Sequence, residues 1–175
     1  MSGVWEAEGP DLRVHEGFLS VIQRRYRLPD GRSVSWELLD IPEVTAVLAL
    51  TPERTVVMVR QFRAGPARRV LSIPGGLVDP GEDPLAAAAR ELLEETGYAA
   101  GRLEHAGTVQ LNNFTRPQHV AIAYDCIHTQ DQTLDEFEDC EVVLMELAEV
   151  RKELKAGRLG AGLQTYLALD HLDLL

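Results

Sequence analysis

Three glutamates crowd the segment Arg90-Glu91-Leu92-Leu93-Glu94-Glu95. On a helix turning about 100° per residue, Glu94 lies about 60° to one side of Glu91 and Glu95 about 40° to the other. The three carboxylates thus share one narrow arc. Like charges at this spacing repel, and anions near a helix C-terminus oppose the helix dipole. A hard divalent cation such as Mg²⁺ relieves both penalties, because it takes carboxylate oxygens. Arg90 reaches Glu94 at i,i+4 and can hold it in place. The competing reading is a solvated acidic face, the usual fate of a charge run. The preceding loop favours the first reading. Gly75-Gly76 lets backbone approach a ligand closely, a bare carbonyl there can join a metal shell, and Glu82 adds another acid.

These side chains need a helix to carry them. The alanine- and leucine-rich run Pro84–Thr96 places Leu85, Ala89, Leu92 and Thr96 on one face, with the carboxylates expected roughly opposite. Asp83 is a good N-cap, Pro84 suits the first helical position, and Gly97 is the expected stop. Around it lie β-rich runs. Phe18–Leu28 and Ser33–Asp40 flank the turn Leu28-Pro29-Asp30-Gly31. Val44–Leu50 and Thr55–Arg60 flank Thr51-Pro52-Glu53-Arg54, and Val70–Ile73 ends at Pro74-Gly75-Gly76. Further strands are predicted at Glu104–Leu111, His119–Ile127 and Glu141–Glu146, with helices over 147–156 and 162–172. Strands around a central helix, closed by C-terminal helices, predict a mixed α+β sandwich.

The chain has 175 residues, enough for one domain, or one with a small appendage, and a core that needs no disulfide. Seventeen Lys and Arg against 28 Asp and Glu give a formal charge of −11. Such a surface repels nucleic acid and anionic lipid. Phosphate chemistry on it needs a local cation source. The apolar runs are too short to span a bilayer, the N-terminus carries no secretory pattern, and Cys126 and Cys140 match no metal spacing. A cytoplasmic protein with two reduced thiols is expected.

The segment Gly76-Leu77-Val78-Asp79-Pro80-Gly81-Glu82, followed seven residues later by Arg90 to Tyr98, resembles the Nudix box. Gly76, Glu82, Arg90, Glu91, Glu94, Glu95 and Gly97 all stand at its fixed positions. The resemblance implies a Nudix fold, an α/β/α sandwich with a mixed sheet and an N-terminal antiparallel hairpin. It divides the chain into a hairpin region, residues 1–42, and a hydrolase domain, residues 43–175. It also implies hydrolysis of a nucleoside diphosphate linked to another moiety, with Mg²⁺ or Mn²⁺ as cofactor. By the family pattern Glu91 and Glu95 are principal metal ligands, Glu94 is a further or water-mediated one, and the Gly75 carbonyl completes the shell. Glu82 and Arg90 brace the loop and helix.

Val59-Arg60-Gln61-Phe62-Arg63 is similar to a segment of ADP-ribose pyrophosphatases and related nucleotide-sugar hydrolases, in which the position of Arg63 contacts the diphosphate. Arg60 and Arg63 both add positive charge; the alternative is an edge strand with solvated arginines. Ser35-Trp36-Glu37 resembles a base-holding segment, implying that Trp36 stacks on the base and Glu37 accepts from its amino group. The alternative is that Trp36 packs. In that group the N-terminal sheet exchanges between subunits, which implies a homodimer. The acidic loop Leu134–Asp139 falls where these enzymes carry a catalytic loop, implying Glu136 and Glu138 as general base and extra metal ligand, against a merely solvated loop. Two departures, Gly75 where Ala is usual and a downstream proline out of register, keep other substrates open: free nucleoside di- or triphosphates and dinucleoside polyphosphates. A non-catalytic nucleotide-sensing module is the alternative of another class.

Overall fold

A computed structural model describes residues 3–17, 19–136 and 138–175. It divides into two compact units, one formed by Met1–Pro42 with Gln110–Pro117 and the other by Glu43–Val109 with Gln118–Leu175. The segment 110–117, assigned by sequence to the larger body, thus clusters with the N-terminal strands.

In the first unit β3 (Val21–Arg27) is central. It pairs antiparallel with β4 (Ser33–Leu39) along one edge and with β1 (Glu6–Ala7) and β2 (Leu12–His15) along the other. The expected turn closes the β3–β4 hairpin, with Gly31 N donating to Leu28 O at 2.9 Å. β1 and β2 carry no clear alternation and were not foreseen. Phe18, the expected first residue of the central run, lies outside the described residues. The segment 110–117 is tied to β4, with Leu39 N donating to Asn113 O at 2.8 Å and Thr115 N to Leu39 O at 3.0 Å.

The second unit is built on a mixed six-stranded sheet. Its order is β12 (Glu141–Met145), β6 (Val56–Arg63), β5 (Val44–Leu50), β10 (Gln118–Tyr124), β9 (Arg102–Val109), with β7 (Arg68–Ser72) also on β6. Only β5 and β10 run parallel. A small ladder joins β8 (Tyr98–Ala99) to β11 (Ile127–His128). Helix α1 (Pro84–Thr96) covers one face, and α2 (Leu147–Lys155) with α3 (Gly162–His171) covers the other. This is the expected α/β/α sandwich.

α1 has the predicted bounds for the predicted reasons. Asp83 accepts from Leu85 N at 2.9 Å and Ala86 N at 3.2 Å. Gly97, at φ 73°, donates to Leu93 O at 2.8 Å. Its missing Cβ matters doubly, since a side chain there would strike the Gln130 carbonyl.

Candidate active site

One expectation about α1 is corrected. Its buried residues are Ala87, Ala88, Leu92, Glu95 and Thr96, so the packed side runs through Ala88, Leu92 and Glu95 and not through Ala89. Glu95 faces the sheet, not away from it, and is 2% exposed. The three-residue step from Leu92 to Glu95 is a near-neighbour step on a helix, and the sheet below offers polar partners. Gln61 of β6 donates its Nε2 to Glu95 Oε1 at 3.1 Å, and Gly75 N donates to Oε2 at 2.9 Å. The Cys140 thiol lies 3.5 Å from Oε1. Burial pushes the Glu95 carboxyl up to about 7; the Glu91 charge adds to this, and the hydrogen bonds only partly offset it.

Glu91 is raised above its ordinary value as well, first by burial, then by the charges of Glu94 and Glu138, with Arg90 opposing. It packs on Gly76 so closely that a Cβ there would collide with its carboxylate. That contact gives the glycine pair a specific use. Arg90 is the brace. Its Nη1 meets Glu91 at 2.8 Å and Glu94 at 3.0 Å, and its Nε and Nη2 form a fork on Glu82 at 3.0 Å each. Nη2 also donates to Leu77 O at 3.0 Å. Glu82 in turn accepts from Asp79 N at 3.0 Å, so the loop and the helix are locked together. The Arg90 guanidinium holds the Glu82 carboxyl below the usual carboxylate range.

The acidic loop enters through the end of α1. Thr129 N donates to Gly97 O and Thr133 N to Glu94 O, each at 2.9 Å. Gln132 Nε2 bridges Glu95 O and Cys140 O. Glu138 accepts from Asp135 N at 3.1 Å, and its charge is felt at Glu91. Glu136 is exposed, and Phe137 lies outside the described residues.

The two arginines of β6 part company. Alternation places Gln61 and Arg63 on the α1 face, and the charge of Arg63 reaches Cys140. Arg60 is on the opposite face, 3.1 Å from Glu141 of β12. Of the two arginines expected to add positive charge, Arg63 thus lies on the face of the α1 carboxylates and Arg60 on the other. In the N-terminal unit Trp36 is 47% exposed, with the Trp5 ring 6.4 Å away and Tyr26 6.1 Å beyond that. Glu37 is exposed on the same strand.

Gln61, Gln132, Cys140 and Trp5 were missed at the level of sequence. An alternation count along β6 from Val57 would have found Gln61; the others have no local signal.

The donor set suits a divalent cation. Two partly desolvated carboxylates repel each other, and Glu95 Oε2 keeps a lone pair beyond its hydrogen bond from Gly75 N. Pro74 O and Gly76 O accept from Val47 N and Thr45 N, whereas Gly75 O accepts from no backbone N–H among the described residues. Those residues hold no ready-made cage of three or more acidic, His or Cys ligands. Mg²⁺ needs none, since it binds through one or two carboxylates, water and substrate phosphates.

Comparison with known proteins settles the family. The NUDIX domain profile matches residues 41–163. This chain belongs to the Nudix family. It is 34% identical to the ADP-ribose pyrophosphatase of Bacillus subtilis (strain 168) over 154 residues, covering 84% of this chain and 80% of the relative. It is 31% identical to the methanol dehydrogenase activator of Bacillus methanolicus over 150 residues, covering 84% and 80%. A solved structure described as an ADP compounds hydrolase superposes with a TM-score of 0.73 at 21% identity, covering 98% of this chain and 95% of that one, a likeness of fold. As a Nudix enzyme the chain is a hydrolase, and no helix among its described residues is long and apolar enough to cross a membrane.

Proposed function

We propose that this Nudix hydrolase cleaves the diphosphate of a nucleoside diphosphate sugar, ADP-ribose foremost, to a nucleoside monophosphate and a sugar phosphate. The observation that carries the reading is the cluster of Glu91, Glu94 and Glu95 beside Gly75-Gly76, braced by Arg90 and Glu82. The relationship to the Bacillus subtilis ADP-ribose pyrophosphatase supports the substrate class.

Glu91, Glu94, Glu95, the Gly75 carbonyl and Glu138 would hold Mg²⁺ or Mn²⁺, which supplies charge neutralisation on the diphosphate and activation of water. Arg63 binds the diphosphate. Glu136 or Glu138 accepts the proton of the attacking water as its oxygen bonds to phosphorus. The bond from phosphorus to the bridging oxygen breaks, and that oxygen leaves on the second phosphate. Gln61 and the Gly75 N–H fix the Glu95 carboxylate, so little reorganisation accompanies reaction. Trp36 stacks on the base and Glu37 accepts from its amino group. Trp5, beside Trp36, offers a second aromatic surface. The working form is a cytoplasmic homodimer.

The test is a substrate panel with Mg²⁺ and with Mn²⁺, the products being identified by chromatography. ADP-ribose should yield AMP and ribose 5-phosphate faster than nucleoside triphosphates or dinucleoside polyphosphates are cut. A preference for free nucleotides overturns the substrate class, and binding without turnover makes the chain a sensor.

A further inference from the structure

On the sheet face away from Glu95 lies a cavity of about 380 Å³ that the proposed reaction does not use. Four arginines line it: Arg60 of β6, Arg68 and Arg69 of β7, and Arg158 after α2. In a chain of charge −11 such a convergence is unexpected. We propose that this cavity is a second ligand site, for a small phosphate-bearing anion.

The charges are only partly spent. Arg60 turns Nη1 to Glu141 at 3.1 Å, and Arg69 turns Nη2 to Asp139 at 2.9 Å. Arg158 makes a fork on Glu153 with two contacts of 2.7 Å, and Glu153 is the only acid among the described residues of the lining. Arg68 forms no ion pair among the described residues. A guanidinium carries five N–H donors, so each arginine retains donors beyond its carboxylate. Planar forks of this kind match phosphate oxygens bidentately. Leu71, Val143 and Met145 form an apolar floor, which strengthens charge interactions above it. The volume exceeds one phosphate and leaves room for an organic group. An incoming anion must compete with Asp139, Glu141 and Glu153, which favours a dianion over chloride.

The site is independent of the proposed reaction, and its test needs no turnover. Metal-free protein, in which the α1 carboxylates repel anions, is titrated calorimetrically with orthophosphate, pyrophosphate and AMP at matched chloride ionic strength. Saturable binding of at least one of these is expected, weakened about tenfold or more in Arg68→Ala/Arg158→Ala. The pyrophosphate and AMP arms distinguish an inorganic from a nucleotide ligand. Should the double variant melt early, Arg68→Ala alone, which breaks no ion pair, carries the test. No saturation by about 10 mM, equal affinity in the cavity variants, or a loss confined to Arg63→Ala each overturns the proposal.

Discussion

The two faces of the central sheet are built from different side chains. Toward α2 and α3 the sheet presents Leu48, Leu50, Val56, Met58, Val120 and Ile122, packed on Val150 and Leu169. Toward α1 it presents Val47, Ala49, Val57, Ala121 and Ala123, packed on Ala88 and Leu92. Large side chains fill one side, and mostly small ones line the other. The small residues let α1 lie close enough for Gln61 to reach Glu95 from the sheet. That face also carries buried polar groups, Glu95, Gln61 and Thr45, the last with a hydroxyl that finds no partner among the described residues. Burying such groups costs free energy. One face therefore supplies stability, and the other gives up apolar volume to hold a desolvated carboxylate in place.

The largest test of this contrast removes the carboxylate. Glu95→Gln should lower turnover by about 10²–10⁴ while leaving the fold intact, because charge stabilisation in the transition state is lost. Near wild-type activity at saturating Mg²⁺ would refute the role given to Glu95. Next come paired core variants. Leu48→Ala, on the α2/α3 face, should cost about 2–5 kcal/mol in denaturant unfolding yet keep activity per folded molecule. Ala88→Leu, at the α1 contact, should cost about 1–3 kcal/mol and also reduce activity, since overpacking lifts the helix off the sheet. Equal catalytic losses in the two would erase the distinction between faces.

A third effect is metal-linked stability. Millimolar Mg²⁺ should raise Tm by binding the native state, worth about 2.7 kcal/mol at a hundredfold excess over Kd. The variant with Gln at 91, 94 and 95 should lose that response; a retained response places the ion elsewhere. The smallest effect lies on the opposite face. The Tyr124 hydroxyl, then Arg102, holds the Glu104 carboxyl at about 2, whereas burial drives Glu95 upward. A depressed carboxylate contributes stability above its ordinary value and loses it as pH falls through its folded value. Glu104→Gln should therefore narrow the drop in Tm between about pH 5 and pH 2; an unchanged drop removes Glu104 from the acid response.

Much of this was legible because local chemistry dictated it. α1 could be bounded to the residue because Asp83, Pro84 and Gly97 satisfy the helix ends by themselves. The central strands β5, β6 and β10 of the second unit were legible from the apolar runs that two-sided burial demands. Where the reading failed, the reason lay in pairing. β1 and β2 are short and exposed and exist through β3. The inward turn of Glu95 depends on Gln61 and Gly75, distant in sequence. Arg60 and Arg63 are different, since a spacing of three in a strand places them on opposite faces, and that much the pattern alone contains.

The amides of Thr129 and Thr133 are capped by carbonyls that α1 itself leaves unpaired at its end, with Gln132 joining from its side chain. Opening either segment therefore breaks hydrogen bonds of the other. Peeling the loop strips the helix-end carbonyls of their donors, and fraying the last turn withdraws the loop's acceptors. Residues 129–133 and 94–97 should therefore take up deuterium together, as one cooperative opening unit.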